Sequence, residues 1–202
     1  MDGPGITSVE RGLAWLDQHL NREASAGRIE GLSLDPIRAL MNLLGDPQDT
    51  FASIHVTGTD GKGSVVAFCE QLLIELGLNT GATTSPHLER LNERMRRNGV
   101  EISDSELTDE LARVALHTAT TEQRWSWFEL VVATAFGWFA ADVADVGPAL
   151  LIGNIGSSLW PAFAASDEAT DGELDPMDRW TQRIVEPVAR EVGANVRYPF
   201  GA

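Results

Sequence analysis

The stretch "SIHVTGTDGKGSVVAFCEQLL", Ser53 to Leu73, decides the fold of this chain. Its first residues, with Ile54 and Val56, form a short β-favouring run that ends in glycine. An apolar stripe at helical spacing follows and closes at Gly77; its members are Val65, Cys69, Leu72 and Leu76. The pattern predicts a strand, a glycine-rich loop and a helix, in that order.

The loop, Gly58 to Ser64, has the parts of a phosphate-binding loop. Its glycines allow several N–H groups to face one anion, and the helix start adds positive charge. Lys62 and the Ser64 hydroxyl are then candidates for phosphate and magnesium. The spacing is not the common G-x-x-x-x-G-K-[ST], because two residues are missing before Gly-Lys and Gly63 separates Lys62 from Ser64.

The alternative for this loop is a plain strand-to-helix turn with an exposed lysine. Lys62 is the only lysine in a chain that has fourteen arginines. A compact ammonium fits a tight phosphate cradle better than a planar guanidinium does. This contrast favours the phosphate-binding interpretation.

Helices and strands alternate along the rest of the chain. Apolar spacing and capping residues predict helices over about 9–20, 35–44, 103–117 and 128–139, the third opened by a capping box of Ser103 and Glu106. "ATTSP" (82–86) is a second strand, "ALLIGNIG" (149–156) a buried strand and turn, and Asp175-Pro176 starts a last helix. This alternation predicts an α/β fold with crossover connections.

Composition limits the possible partners. The 202 residues carry a formal charge of -15, which disfavours nucleic acid and anionic membrane surfaces as partners. Cys69 is the single cysteine, so a reducing, cytoplasmic setting is expected. No uncharged apolar segment reaches the length of a membrane span.

Three blocks in order, "HVTGTDGKGSV", "TSPHLERLNERMRRNGVEIS" and "WSWFELVVATAFGWFA", resemble the folylpolyglutamate synthase and dihydrofolate synthase family, which is related to the Mur ligases. The resemblance covers about residues 8 to 146. It implies an incomplete Mur-ligase-like ATP-binding domain over 1–146, with a parallel sheet and flanking helices, and an unrelated α/β extension over 147–202. That extension faintly resembles the start of certain bacterial ferredoxin-like proteins.

The resemblance implies an ATP-dependent ligase of folate biosynthesis that uses Mg²⁺. Such an enzyme phosphorylates a folate or dihydropteroate carboxylate, and the amine of L-glutamate then displaces the phosphate. Carried over by position, the residues that hold the ATP phosphates are Thr59, Gly61, Lys62, Gly63 and Ser64. Magnesium ligands by the same reasoning are Ser64 and Ser85, although Ser85 alone also suits a turn before Pro86.

Three residues are candidates for substrate contact. His87 suits either a ligand contact or a turn. Arg94 belongs to a dense run with Arg90, Arg96 and Arg97, which is either an anion site or a solvated face. Glu129 occupies the place of a family Phe-Glu pair, although a carboxylate at a helix start more often faces the helix dipole. The nearby aromatic residues are expected in the core.

The chain departs from the family in two ways. Asp60 stands where the family usually has asparagine. After "FAADVAD" the family continues with a strand ending in a magnesium-binding glutamate, a glycine-rich loop, a histidine ligand, a carbamylated lysine and a glutamate-binding domain. None of these is matched, and Lys62 cannot also be the carbamylated lysine.

The sequence therefore leaves other functions open. One is a non-catalytic nucleotide-binding module or a degenerate fragment. Another is an unrelated P-loop kinase, which needs an acidic metal ligand at a strand end, with Asp142 and Asp145 as candidates. A sheet without its later strands also predicts an exposed edge that a partner covers.

Overall fold

The computed structural model describes residues 5–21, 33–56, 61–146 and 149–153, and of 142–153 the backbone only. The helices are α1 (Val9–Leu16), α2 (Asp35–Leu43), α3 (Lys62–Glu75), α4 (Asp104–Thr118) and α5 (Trp127–Val146). The strands are β1 (Ala52–His55), β2 (Asn79–Thr83), β3 (Met95–Arg97), β4 (Val100–Glu101) and β5 (Ala149–Gly153), and 3-10 helices span Pro47–Thr50 and Leu91–Arg94. None of the described helices has the length and apolar character that crossing a bilayer requires.

One five-stranded sheet, in the order β1-β5-β2-β3-β4, organises these elements. The first three strands are parallel, and β3 and β4 pair in antiparallel fashion. The predicted α/β class is confirmed, but the hairpin of β3 and β4 was missed. Its signal is Asn98-Gly99, whose φ angles of 48° and 78° suit a two-residue hairpin turn.

Strand β5 is made of residues that the sequence assigns to the extension. Its backbone pairs Leu151 with Ser53 of β1 on one side and with Gly81 of β2 on the other. The start of the predicted extension therefore belongs to the sheet, just beyond the residues 8 to 146 that the sequence resemblance covers. Residues 154–202, including the predicted last helix and the ferredoxin-like resemblance, lie outside the described residues.

Helices cover both faces of the sheet. Arg96 and Arg97 are neighbours on β3 and point to opposite faces. Arg96 reaches Glu70 of α3, and Arg97 donates to the carbonyl of Trp138 in α5. The α5 face holds most of the described core, including the fully buried side chains of Leu16, Ile37, Leu40, Leu107, Leu111, Leu130 and Phe136.

The predicted helix starts agree with the structure better than the predictions of which helix face is buried. Ser103 and Glu106 form the expected capping box of α4. By contrast, α1 stops at Leu16, and Leu20 is exposed. The stripe predicted for α3 also faces solvent: Val65, Leu72 and Leu76 are exposed together with Phe68, whereas Val66, Glu70 and Leu73 are buried. The sheet fixes which side is buried, since Glu70 turns inward to Arg96.

Strand β1 forms one edge of the sheet. Within the described part of the chain it pairs with β5 alone. Unpaired N–H and C=O groups along such an edge favour pairing with another strand. A partner that covers this edge stays a prediction.

Breaking the buried ion pair between Arg96 and Glu70 should strongly destabilise the fold. Both Arg96 Nε and Nη2 lie 3.0 Å from Glu70 Oε2, and the side chains are only 20% and 6% exposed. Replacing Glu70 with alanine leaves a largely buried guanidinium, so we expect the free energy of unfolding to fall by about 3 kcal/mol. Urea denaturation measures this loss.

The matched control is Arg90→Ala, because the Arg90–Asp104 pair is 57% and 62% exposed. Its expected loss is below about 1 kcal/mol. Equal losses for the two variants would contradict the difference in burial.

Candidate functional site

Two segments singled out by the sequence leave the same edge of the sheet. β1 ends at His55 and β2 ends at Thr83, and both residues pair with Gly153 of β5. The carboxyl ends of parallel strands form the edge where α/β folds bind ligands. The loop before α3 and the segment around Ser85 therefore both begin at this edge.

The start of α3 exposes backbone N–H donors at a glycine turn. Gly61 precedes the helix with φ 75° and ψ 0°, a left-handed conformation that favours glycine. The first backbone bond of the helix runs from Val65 N to Gly61 O at 3.0 Å, so the preceding N–H groups point out of the helix end. No acidic residue lies in the first turn to neutralise this positive end.

The predicted phosphate ligands lie in sequence around this helix end. Lys62 is the first helical residue and is half-buried, while Gly61, Gly63 and Ser64 are exposed. Thr59 and Asp60 lie outside the described residues. The described part of the loop thus combines one ammonium group, one hydroxyl group and backbone donors.

The Ser85 segment, residues 84–90, is folded back onto the short helix Leu91–Arg94. Thr84 N donates to the carbonyl of Arg94 at 3.1 Å. Ser85 lines a small open recess with Thr83, Arg94 and Phe128. The segment therefore presents Ser85 beside the end of β2.

Glu93 anchors this segment, although the sequence did not single it out. Its carboxylate accepts the N–H groups of Leu88, Glu89 and Arg90 at 2.7, 2.7 and 2.6 Å. These bonds stabilise the charged form and lower the pKa of Glu93 to about 2. An acidic residue in the first turn of a helix was the available signal.

His87 is held by Arg94. Arg94 Nε donates to His87 Nδ1 at 2.8 Å, so Nδ1 carries no proton and Nε2 is the ring's remaining polar atom. Arg94 is 3% exposed and its guanidinium lies 4.9 Å from the centroid of the Trp127 ring. The pair combines a fixed ring with a buried positive charge next to the recess.

The arginine run is mostly internal. Arg96 pairs with Glu70, and the Arg97 guanidinium lies 4.0 Å from the Trp138 ring centroid. With Arg94 buried as well, a solvated face is the wrong interpretation for three of the four arginines. Only the Arg90 side chain is largely exposed, in its pair with Asp104.

Glu129 caps α5. Its Oε2 accepts Ser126 N at 2.7 Å and Ser126 Oγ at 2.8 Å, and Glu129 N donates to Ser126 Oγ at 3.3 Å. These contacts agree with the helix-start interpretation, and a substrate role for Glu129 stays a prediction. The aromatic residues nearby are core, as expected: Trp125, Trp127, Trp138 and Phe139 are buried, with Phe128 packed against them.

The described residues offer few metal ligands. They contain no cluster of three His, Cys, Asp or Glu side chains able to hold a metal ion. The hydroxyls of Ser64 and Ser85 are the predicted donors, and Mg²⁺ commonly combines one or two protein ligands with water and phosphate oxygens. The donor set thus fits a metal that is bound together with nucleotide phosphates.

The two acidic residues considered as metal ligands for a P-loop kinase are not at a strand end. Asp142 and Asp145 lie within α5 rather than at a strand end. The residues of β5, Ala-Leu-Leu-Ile-Gly, include no carboxylate. The described strands beside the loop therefore supply no acidic residue of the kind that such a kinase needs.

Known proteins share this arrangement, although no family model matches the chain. A dihydrofolate synthase/folylpolyglutamate synthase of Bacillus subtilis is 34% identical over 139 residues, 67% of this chain and 31% of the relative. The structure of Mycobacterium tuberculosis folylpolyglutamate synthase complexed with ADP is 36% identical, with a TM-score of 0.58 over 73% of this chain and 32% of its own. A bifunctional folylpolyglutamate synthase/dihydrofolate synthase with Mn, AMPPNP and L-glutamate bound is 25% identical, with a TM-score of 0.61 over 75% and 34%.

The sheet and the glycine loop before α3 define the N-terminal portion of a Mur-ligase fold. Within that class the match in sequence is specific. The chain belongs to the folylpolyglutamate synthase/dihydrofolate synthase family and spans about a third of the length of these relatives.

The left-handed conformation of Gly61 predicts a sharp difference between two glycines of the loop. Gly61→Ala should lower the free energy of unfolding by about 1–2 kcal/mol, because a Cβ is unfavourable at φ 75°. Gly63 lies inside α3, where an added Cβ meets nothing within 4 Å among the described residues, so Gly63→Ala should not destabilise the protein. Thermal and urea denaturation of both variants check this, and equal stability would contradict it.

The low pKa of Glu93 predicts a pH dependence. Because the folded-state pKa, about 2, lies below the ordinary value of 4.5, the carboxylate stabilises the fold above pH 4.5. That stabilisation is lost as pH falls from 4.5 through about 2. A carboxyl ¹³C titration of Glu93 by NMR should give this low midpoint, and a midpoint near 4.5 would show that the three N–H bonds are absent in solution.

Proposed function

We propose that this chain binds ATP with a divalent metal as the N-terminal part of a cytoplasmic ligase that adds L-glutamate to a folate or dihydropteroate carboxylate. The observation that carries the proposal is the start of α3. Gly61 is left-handed, Lys62 is the only lysine of the chain, and the first turn of the helix has no acidic residue. The strand before this helix, β1, ends at the same sheet edge as β2, the strand before Ser85. This arrangement suits the phosphates of a nucleotide.

During the reaction, negative charge builds up on the oxygens of the transferred phosphoryl group and of the leaving ADP. The donors at this sheet edge could stabilise that charge. A substrate carboxylate oxygen attacks the γ-phosphorus and ADP leaves; the glutamate amine then attacks the acyl carbon, and phosphate and a proton are released. A bound divalent metal would neutralise the phosphate oxygens. The Lys62 ammonium and the N–H groups around Gly61–Ser64 would bind the phosphates, with Ser64 and Ser85 as metal ligands. His87 and the buried Arg94 would lie on the acceptor side.

Ligands of the relatives support the proposal. One relative was solved with ADP, and another with Mn, AMPPNP and L-glutamate. This chain matches their N-terminal portion, in which the loop before α3 lies. Mg²⁺ is the metal we propose for this chain.

A non-catalytic nucleotide-binding module is the second candidate. Two observations favour it: β5 ends without a carboxylate, and the chain has no lysine besides Lys62. A family enzyme is expected to have a magnesium-binding glutamate and a carbamylated lysine. A protein without these two groups would bind the nucleotide but would not catalyse the ligation.

Replacement of Lys62 tests nucleotide binding. We expect Lys62→Ala to weaken Mg²⁺-ATP binding about ten- to hundredfold, since a hydrogen bond to a charged group contributes about 1.5–3 kcal/mol. Lys62→Arg, which keeps the charge but not the compact shape, should give an intermediate loss. Isothermal titration calorimetry measures the affinity of the wild-type protein and of both variants for Mg²⁺-ATP. Equal affinities would refute the phosphate role of Lys62.

Turnover separates the two candidates. Glutamate-dependent release of ADP in the presence of a folate or pteroate acceptor supports the ligase. If ATP binds and no ADP is released, the chain is a non-catalytic nucleotide-binding module. If wild-type protein does not bind Mg²⁺-ATP, both fail.

A further inference from the structure

One carboxylate binds three consecutive N–H groups at the end of the segment that carries Ser85. Glu93 accepts all three N–H groups of residues 88–90 through its two oxygens, at 2.6–2.7 Å. Apolar packing contributes little here, because Leu88 is 92% exposed. The three N–H groups of residues 88–90 therefore share one acceptor side chain.

The backbone of Glu93 is in turn connected to the helix that follows the phosphate loop. Arg96 Nη1 donates to the Glu93 carbonyl at 3.3 Å, and the same guanidinium pairs with Glu70 of α3 at 3.0 Å. The Thr84 hydroxyl also donates to the Glu93 carbonyl, at 3.4 Å. Glu93 thus links α3 to both ends of the segment, with Ser85 between them.

We infer that Glu93 is a positioning residue, whose carboxylate holds Ser85 and His87 beside the start of α3 through the backbone of residues 88–90. The inference rests on the proposed function, because its readout is the binding of nucleotide and metal. A carboxylate offers acceptors only, which matches three converging N–H donors. Glutamine has the same shape but turns one acceptor into an NH₂ group that faces a donor, so at least one of the three N–H bonds is lost and the segment should loosen without a cavity being left.

The test compares the affinity of the full chain for ATP with and without Mg²⁺ by calorimetry. In Glu93→Gln we expect the gain in affinity that Mg²⁺ gives to fall about tenfold, as for residues that orient metal ligands. Affinity for ATP in EDTA should stay at the wild-type value. The matched control is Glu89→Gln, an exposed carboxylate in the same segment, which should leave both affinities unchanged.

A double variant separates positioning of Ser85 from a general loss of structure. In a Ser85→Ala background, Glu93→Gln should cause no further loss of the Mg²⁺-dependent gain, since the group being positioned is already gone. An additional tenfold loss in that background would overturn the inference. Hydrogen exchange at residues 88–90 should be faster in Glu93→Gln and unchanged in Glu89→Gln.

Failure of the inference and failure of the proposed function give different results. If wild-type protein binds Mg²⁺-ATP and Glu93→Gln keeps the whole gain, only the inference is wrong. If wild-type protein shows no binding, the proposed function fails and the inference fails with it. Should Glu93→Gln not fold, Glu93→Asp withdraws the carboxylate by one methylene group; a full gain in that variant would also overturn the inference.

Discussion

Strand β5 forms hydrogen bonds with β1 on one side and with β2 on the other, and this double parallel pairing holds the structure together. In the described sheet, β1 and β2 are not neighbours, so they share an edge only because five residues lie between them. The loop before α3 and the Ser85 segment follow β1 and β2. That both leave the same edge of the sheet is therefore a property of β5, which begins at Ala149, far from either segment in sequence.

The positively charged groups of the described chain have two different roles. Arg94, Arg96 and Arg97 contact the His87 ring, Glu70 and Trp138, so their guanidinium groups join elements of the fold. The start of α3, with Lys62 and the N–H groups that precede its first helical bond, is where we propose that anions bind. In a chain with a formal charge of -15, the proposed anion site therefore rests on local donors at one helix end rather than on the overall charge.

Features set by neighbouring residues could be predicted from the sequence, whereas features set by contacts between distant residues could not. The capping box of Ser103 and the strand-loop-helix order around Lys62 are set by neighbouring residues, so the sequence indicates them directly. Which face of α3 is buried depends on Arg96, twenty-six residues beyond Glu70. The place of β5 depends on pairing with two distant strands. The carboxylate of Glu93 gains its importance from three backbone groups that converge only once the chain has turned.

The position of Lys62 has a practical consequence for chemical biology. Because it is the only lysine side chain, an amine-acylating reagent has a single side-chain target besides the α-amino group, and that target is the first residue of α3. Covalent modification there would report on the helix end alone, without the background that a lysine-rich protein gives. A fluorophore or an affinity tag coupled through Lys62 would, for the same reason, lie at the helix end where we propose that an anion binds.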